Sequence, residues 1–211
     1  MIKVLIADDH AIFRHGLKKV LEEGKDITVI AEANNGNIAF DKALKEDIDI
    51  MLLDIAMPGI TGLELLKLLK VHRPKLKVMI LSMYPEEQYA VRAIKAGAVG
   101  YINKAEAAEE LIYAIKKVYK EGKYIKPAIA EKFFFDFESE TDRAPHETLT
   151  DREYQILSMI ASGKTVSMIA EELRLSVKTV STHRMHILEK MGMKNNAELT
   201  HYMIKRGLVI L

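Results

Sequence analysis

Carboxylate, hydroxyl and ammonium side chains stand at the ends of successive apolar runs in the first half of the sequence. Asp8 and Asp9 follow the first run, Asp54 ends the third, Ser82 ends the fourth and Lys104 follows the fifth. If these runs are neighbouring parallel strands, their carboxyl ends open onto one crevice. A buried carboxylate is costly unless it is paired or bound to a metal, so five such groups at one edge indicate a built site.

These residue types suit the transfer of a phosphoryl group. Three carboxylates repel one another, and a hard cation such as Mg²⁺, which takes carboxylate and phosphate oxygens as ligands, relieves that repulsion. Asp54 is the candidate nucleophile, forming an acyl phosphate, while Lys104 and the Ser82 hydroxyl can contact the phosphoryl oxygens. Taken singly, each residue has an ordinary alternative as a turn, strand-end or solvated residue.

The elements that must position these residues are predicted to be parallel βαβ units. Apolar runs of strand length alternate with helix-period segments through the first 120 or so residues. Helical stripes of apolar residues predict the core-facing sides of the first and fourth helices. The stripes are Phe13, Leu17, Val20 and Leu21, then Val91, Ile94 and Ala98. The expected fold is a doubly wound α/β sandwich with strands near 4–7, 28–33, 48–54, 78–82 and 100–103.

The composition allows two ordinary domains and excludes several kinds of site. The 211 residues are 49% hydrophobic, and a domain typically has about 100 to 150 residues. The net charge of +1 gives no chain-wide basic field, so any nucleic-acid signal must be local. The absence of cysteine excludes disulfide scaffolds, thiolate metal sites and cysteine nucleophiles. Early carboxylates and the lack of a long apolar run predict a soluble, cytoplasmic protein.

An acidic segment separates the two predicted domains. Residues 131–147 hold six acidic and two basic side chains, which predicts a linker. The segment also holds an apolar cluster of Phe133, Phe134, Phe135 and Phe137. This cluster either packs on a domain as an extension of the fifth unit or acts as a latch between the domains.

The remainder of the chain is predicted to be helical. Thr150 and Glu153 form a capping box, Gly163 is placed to end that helix, and Ser176 can cap a helix that Gly192 stops. Asn195 with Glu198 repeats the capping pattern before a last helix. Four short helices in about 60 residues are typical of a compact helix-turn-helix domain.

The helix after Ser176 has the composition of a DNA-reading element. Residues 176–194 hold four basic side chains and one acidic one. Core-facing positions are Val180, Ile187, Leu188 and Met191, which leaves small hydroxyls, an apolar tip and cations outside. We expect Lys178, Arg184 and Lys190 near phosphates, and Ser181, Thr182 and Met185 near base edges, with Thr179 on the same surface. A cationic helix is otherwise usually a solvated face.

The first 122 residues resemble the receiver domain of two-component response regulators. The resemblance rests on Ala7-Asp8-Asp9-His10 with Arg14 and Gly16-Leu17, on Asp54-Ile55-Ala56-Met57-Pro58-Gly59 with Gly62, on Leu81-Ser82, and on Ala96-Gly97-Ala98 with Gly100-Tyr101-Ile102-Asn103-Lys104. It implies a flavodoxin-like, five-stranded parallel sheet. It also implies that Asp9, Asp54 and the Ala56 carbonyl bind Mg²⁺, that Asp8 assists through water, and that Ser82 and Tyr101 form a switch pair. Where many receivers have proline after the lysine this chain has Ala105, which leaves the shape of that loop open.

The tail resembles the LuxR-type helix-turn-helix. The matching residues are Leu149-Thr150-Asp151-Arg152-Glu153, Ile156-Leu157, Gly163-Lys164-Thr165, Ile169-Ala170, Leu173, Leu175-Ser176, Lys178-Thr179-Val180-Ser181-Thr182-His183, Ile187, Lys190-Met191 and Glu198-Leu199. The family commonly has a basic residue where this chain has Asn196, so one phosphate contact is expected to be weaker or replaced by a neutral hydrogen bond.

Together the two resemblances imply a response regulator of the NarL/FixJ class. The expected organisation is a receiver domain at 1–122, a linker at 123–147 and a LuxR-type DNA-binding domain at 148–211. The implied partners are a sensor histidine kinase, or acetyl phosphate as a small donor, promoter DNA, and a second copy in a phosphorylation-dependent homodimer, with RNA polymerase as a further candidate. The chain is then not an enzyme.

Two other classes remain open. An aspartyl phosphatase also uses Mg²⁺ with Asp, Ser and Lys on an α/β sheet, but it generally needs a second acid where this chain has Ala56. An interaction adaptor with a repurposed receiver and no DNA contact is the other alternative.

Overall fold

The computed structural model describes residues 1–23, 25–84, 86–131 and 144–209. The chain divides into two compact units, residues 1–133 and 134–211. None of the described helices is both long enough and apolar enough to cross a membrane. The Phe133–Phe137 cluster lies outside the described residues.

The first unit is a five-stranded parallel sheet with intervening helices, as the sequence predicts. The strand order β2-β1-β3-β4-β5 is that of a doubly wound α/β fold. The strands are β1 Ile2–Ala7, β2 Ile27–Ala33, β3 Ile50–Asp54, β4 Lys77–Ser82 and β5 Gly100–Asn103. The helices are α1 Ala11–Glu23, α2 Gly36–Lys45, α3 Gly62–His72, α4 Glu86–Lys95 and α5 Ala107–Glu121.

The predicted apolar stripe of α1 is confirmed, whereas that of α4 is confirmed only at Ala98, which follows the helix and is buried. Leu17 and Leu21 are buried in the core between the sheet and α5, and Phe13 packs against it. In α4 the buried side chains are instead Tyr89, Ala90 and Ala93, while Val91 and Ile94 are only half-buried. Tyr89 stacks on Tyr84 with ring centroids 4.7 Å apart. The aromatic ring and small residues thus replace the expected aliphatic stripe as the core-facing side.

The start of the expected linker continues the first unit. Tyr124 bridges to Gly100 of β5, and the Lys126 ammonium lies 2.7 Å from Glu86, 2.6 Å from Glu106 and 3.2 Å from Glu110. These carboxylates belong to the first residue of α4 and to the first turn and cap of α5. The segment after α5 is therefore tied to both helices by charge.

The second unit contains a 3₁₀ turn, Pro145–Thr148, followed by four α-helices. These are α6 Asp151–Ala161, α7 Val166–Glu172, α8 Val177–Met191 and α9 Asn196–Lys205. The capping predictions are confirmed. Thr150 and Glu153 form a capping box, and Ser176 and Asn195 accept from the amides three residues on. Gly163 and Gly192 have left-handed φ values of 83° and 64°, a conformation that stops a helix at little cost only for glycine.

Candidate functional site

The parallel register brings the predicted acidic residues to one edge of the sheet. Ala7 is in register with Leu53, and Asp54 with Leu81, so the residues after β1 and at the ends of β3 and β4 are neighbours. Asp54 and Asp8 are 2% and 1% exposed. The Lys104 ammonium joins them, 2.8 Å from Asp54 Oδ2 and 2.7 Å from Asp8 Oδ2. The predicted convergence of these charges is confirmed.

The carboxylates lie close enough together to share one cation. Ligand atoms of Asp8, Asp9, His10 and Asp54 all lie within 4.8 Å of one another. The main-chain N–H of His10 donates to Asp8 Oδ1 at 2.8 Å, and its Nδ1 lies 3.0 Å from Asp9 Oδ1. This oxygen-rich donor set fits a hard divalent cation such as Mg²⁺. Sequence reasoning gave His10 no role, although its position directly after the two acids was a usable signal.

Burial and like charge set the electrostatics of the pocket. Burial, together with the neighbouring Asp8 charge, raises the pKa of Asp54, although Lys104 opposes the shift. Burial alone would lower the pKa of Lys104, but Asp54 and Asp8 outweigh it and the net pKa is raised. The lysine is therefore held as a cation, while burial opposes the ionisation of Asp54, and a further cation would reduce that penalty.

Ser82 and Tyr101 lie beside the pocket, linked through the turn after β4. The fully buried Ser82 accepts a hydrogen bond at its Oγ from the N–H of Tyr84 at 3.2 Å. The buried Tyr101 donates its hydroxyl to the Tyr84 carbonyl at 2.8 Å. Burial raises the pKa of Tyr101, so its hydroxyl keeps its proton and remains a donor. Ser82 and Tyr101 thus both contact the main chain of Tyr84, in the turn that follows β4.

The backbone around Asp54 is closely packed. The N–H of Ala56 donates to Asp54 Oδ1 at 3.3 Å. A Cβ at Gly62 would lie 2.1 Å from the Asp54 carbonyl oxygen, so the first residue of α3 lies directly against the main chain of Asp54. On the other side, the peptide between Lys104 and Ala105 is trans, since none of the described residues has a cis bond.

In the second unit, α8 presents most of the side chains predicted to meet DNA. Val180, Ile187 and Met191 are buried, and Leu188 is half-buried. The side chains of Lys178, Thr179, Ser181, Thr182 and Met185 are exposed. Thr179 also takes part in the cap, because its N–H donates to Ser176 Oγ at 3.0 Å. One face of α8 is therefore available to a partner while the other packs in the core.

Two cations of α8 have partners that the sequence did not reveal. Arg184 is half-buried and its Nε donates to Asn196 Oδ1 at 2.6 Å, so the residue that replaces the family's basic side chain anchors an arginine. The Lys190 ammonium lies 2.7 and 2.9 Å from the oxygens of Glu153. Burial would raise the pKa of Glu153, but Lys190 and the Thr150 cap lower it overall. Lys190 thus joins α8 to the start of α6.

Comparison with known proteins matches both units. The profile of the response regulator receiver domain matches residues 4–116, and that of bacterial regulatory proteins of the luxR family matches residues 147–203. The chain is 36% identical to the response regulator UvrY of Escherichia coli strain K12 over 99% of this chain and 96% of UvrY. It is 37% identical to the oxygen regulatory protein NreC of Staphylococcus epidermidis over 99% of both chains.

Solved structures give the same architecture. The structure of RcsB from Salmonella enterica serovar Typhimurium, bound to promoter P1flhDC in the presence of the phosphomimetic BeF₃⁻, matches with a TM-score of 0.65 and 25% identity. The match covers 97% of this chain and 98% of that one.

Proposed function

Because this chain belongs to the NarL/FixJ class of response regulators, with a receiver domain followed by a LuxR-type DNA-binding domain, we propose that Mg²⁺-dependent phosphorylation of Asp54 controls its binding to promoter DNA. The observation that carries the proposal is the buried Asp8–Lys104–Asp54 arrangement beside Asp9. It supplies a nucleophile, a fixed cation and an oxygen-lined space at one sheet edge.

In this proposal Asp54 takes a phosphoryl group directly from a donor. One carboxylate oxygen attacks phosphorus and forms an O–P bond, while the bond from phosphorus to the donor breaks and the donor keeps the electron pair. The donor is a phosphohistidine of a sensor kinase or acetyl phosphate. The Lys104 ammonium donates to Asp54 Oδ2 at 2.8 Å, so it is placed to pair with the oxygens of the phosphoryl group.

In this proposal Asp9, Asp54 and the Ala56 carbonyl hold the magnesium ion, with Asp8 acting through water. When bound, the ion neutralises the charge that builds up between the phosphoryl group and the carboxylates. The Ser82 hydroxyl then moves toward the phosphoryl group and Tyr101 follows, which alters the turn at Tyr84 that both side chains contact. Phosphorylation shifts the populations of two receiver states because the phosphoryl group interacts more favourably with one state than with the other.

The proposed output is a homodimer that places two copies of α8 on adjacent half-sites. One such helix reads only a few base pairs, so two copies are needed for useful specificity. Lys178 and Arg184 are assigned to phosphates, and Ser181, Thr182 and Met185 to base edges, with Thr179 at the helix start. The Lys190 ammonium is held by Glu153, so in this proposal its phosphate contact is secondary to its role in packing. The DNA-bound regulator can then contact RNA polymerase. In this proposal the protein acts as a regulator and not as an enzyme.

The phosphoryl acceptor is tested with acetyl phosphate and Mg²⁺. Intact-protein mass spectrometry should show one added phosphoryl group in the wild type and in Asp41→Asn, an exposed carboxylate of α2, and none in Asp54→Asn. Phosphorylated Asp54→Asn would refute the nucleophile assignment. Sustained hydrolysis of varied phosphate esters would favour the phosphatase class instead.

DNA binding is tested on genomic fragments selected with the phosphorylated protein. Lys178→Ala should weaken binding and reduce the salt dependence of log K by about 0.9, the value expected for one phosphate contact. Lys205→Ala, an exposed lysine of α9, is the matched control and should change neither quantity. Equal effects of the two variants on DNA affinity would contradict the assignment of α8 to the DNA interface.

A further inference from the structure

Arg14 of α1 holds the peptide bond that joins the two acidic residues following β1. Its Nη1 donates to the main-chain carbonyl oxygen of Asp8 at 2.6 Å, and that carbonyl belongs to the peptide between Asp8 and Asp9. The N–H of Asp8 donates to the Ala33 carbonyl at 3.0 Å. Because a peptide bond is planar, holding its oxygen limits the directions in which the neighbouring side chains leave the backbone.

Arg14 is itself fixed by a residue of β2. Its Nε lies 3.2 Å from Glu32 Oε2, and its side chain is 13% exposed. The N–H of Arg14 also donates to the His10 carbonyl at 3.0 Å, in the turn that opens α1. A guanidinium has five N–H donors in a rigid fork, so one side chain can serve the Asp8 carbonyl and the Glu32 carboxylate together. A lysine ammonium on a flexible stem does not offer that geometry.

We propose that Arg14 is a positioning residue of the magnesium site, which fixes the Asp8–Asp9 peptide and so orients both carboxylates before the ion binds. It gives no ligand atom to the ion or to the phosphoryl group. This inference rests on the proposed function, because it takes the pocket to be a Mg²⁺ site.

The effect is measured as Mg²⁺ affinity by isothermal titration calorimetry of the full chain. Groups that orient metal ligands typically change affinity by about 10- to 100-fold, and we expect Arg14→Ala to raise the Mg²⁺ Kd by about 10-fold. Arg14→Lys keeps the charge without the fork and should raise it several-fold. Glu32→Gln, which loosens Arg14, should act in the same direction. Lys19→Ala, an exposed cation of α1, is the control and should leave the Kd unchanged.

A second readout separates positioning from general damage to the fold. With acetyl phosphate as donor, Arg14→Lys should need more Mg²⁺ for half-maximal phosphorylation yet reach the wild-type rate at saturation. The metal-free melting temperature shows whether each variant is folded. If Arg14→Ala does not fold, the single variants Arg14→Lys and Glu32→Gln provide the test.

An unchanged Kd in folded Arg14 variants overturns the inference alone, as does a reduced saturating rate with an unchanged Kd. A wild-type chain that binds no Mg²⁺ would overturn the proposed function together with this inference.

Discussion

Replacing Lys104 by methionine should destabilise the first unit strongly in the absence of divalent cations. The substitution keeps an unbranched apolar side chain, one atom shorter and with sulfur in place of a methylene, and removes the ammonium. It leaves Asp8 and Asp54, which are 1% and 2% exposed, without the cation that lies within 2.8 Å of both. Removing one partner of a buried ion pair costs about 3–5 kcal/mol, because the other charge is left uncompensated. Here two carboxylates lose their partner at once, so we expect the upper half of that range.

Differential scanning calorimetry of the full chain can measure this change, because the two units should give separate transitions. For a domain of this size, 1 kcal/mol corresponds to about 4 °C in melting temperature. The first transition should therefore fall by about 15–20 °C in Lys104→Met, while the second stays in place. Millimolar Mg²⁺ should restore much of the loss, since the ion supplies the missing positive charge.

A double-mutant cycle identifies the source of the effect. If the loss of stability comes from uncompensated carboxylates, the double variant Lys104→Met/Asp54→Asn should be far less destabilised than Lys104→Met alone. The reasoning is refuted if Lys104→Met melts within about 4 °C of the control Lys19→Met, or if Asp54→Asn does not reduce its effect.

Three further expectations follow from the same contacts. Without Mg²⁺, Asp54→Asn should be more stable than the wild type at pH 7, and the difference in stability should shrink as the pH falls toward about 4. Because the pKa of Asp54 is raised on folding, the folded wild type keeps a proton that the unfolded chain has already released, and the stability of the wild type falls as the pH rises through that window. Calorimetry between pH 4 and 7 checks the sign. Lys190→Met should lower the second calorimetric transition by an amount equivalent to about 1 kcal/mol, because its glutamate partner loses its cation, and an equal shift in Lys178→Met would contradict this. Lys126→Met should lower the first transition by about 1–2 kcal/mol, since three carboxylates lose one shared cation, whereas Lys123→Met should not.

The parallel sheet and the convergence of its carboxylates could be predicted because both depend on local patterns. Apolar runs of strand length are dictated by burial on both faces, and polar residues such as Asp54 stand where a run ends, at the carboxyl edge of the sheet that forms the binding crevice. The caps at Thr150, Ser176 and Asn195 were equally readable, since a capping side chain bonds an amide three residues away.

Long-range partners could not be predicted, because nothing in the local sequence specifies them. The contacts of Lys190 with Glu153 and of Lys126 with Glu110 join residues of different elements. Within α4 the buried side chains are Tyr89, which stacks on Tyr84, and two alanines rather than Val91 and Ile94. A helical period indicates that a face exists, whereas the neighbours decide which face is covered.

The close approach of Gly62 to the main chain of Asp54 makes one wall of the pocket incompressible. A Cβ there would already overlap the Asp54 carbonyl oxygen, so the end of β3 and the start of α3 cannot move closer together. We therefore expect the room for a group added to the Asp54 side chain to come from the loops that follow β1, β4 and β5. We expect displacement at the turn of Tyr84 rather than at the start of α3, and a larger residue at position 62 should displace the main chain of Asp54.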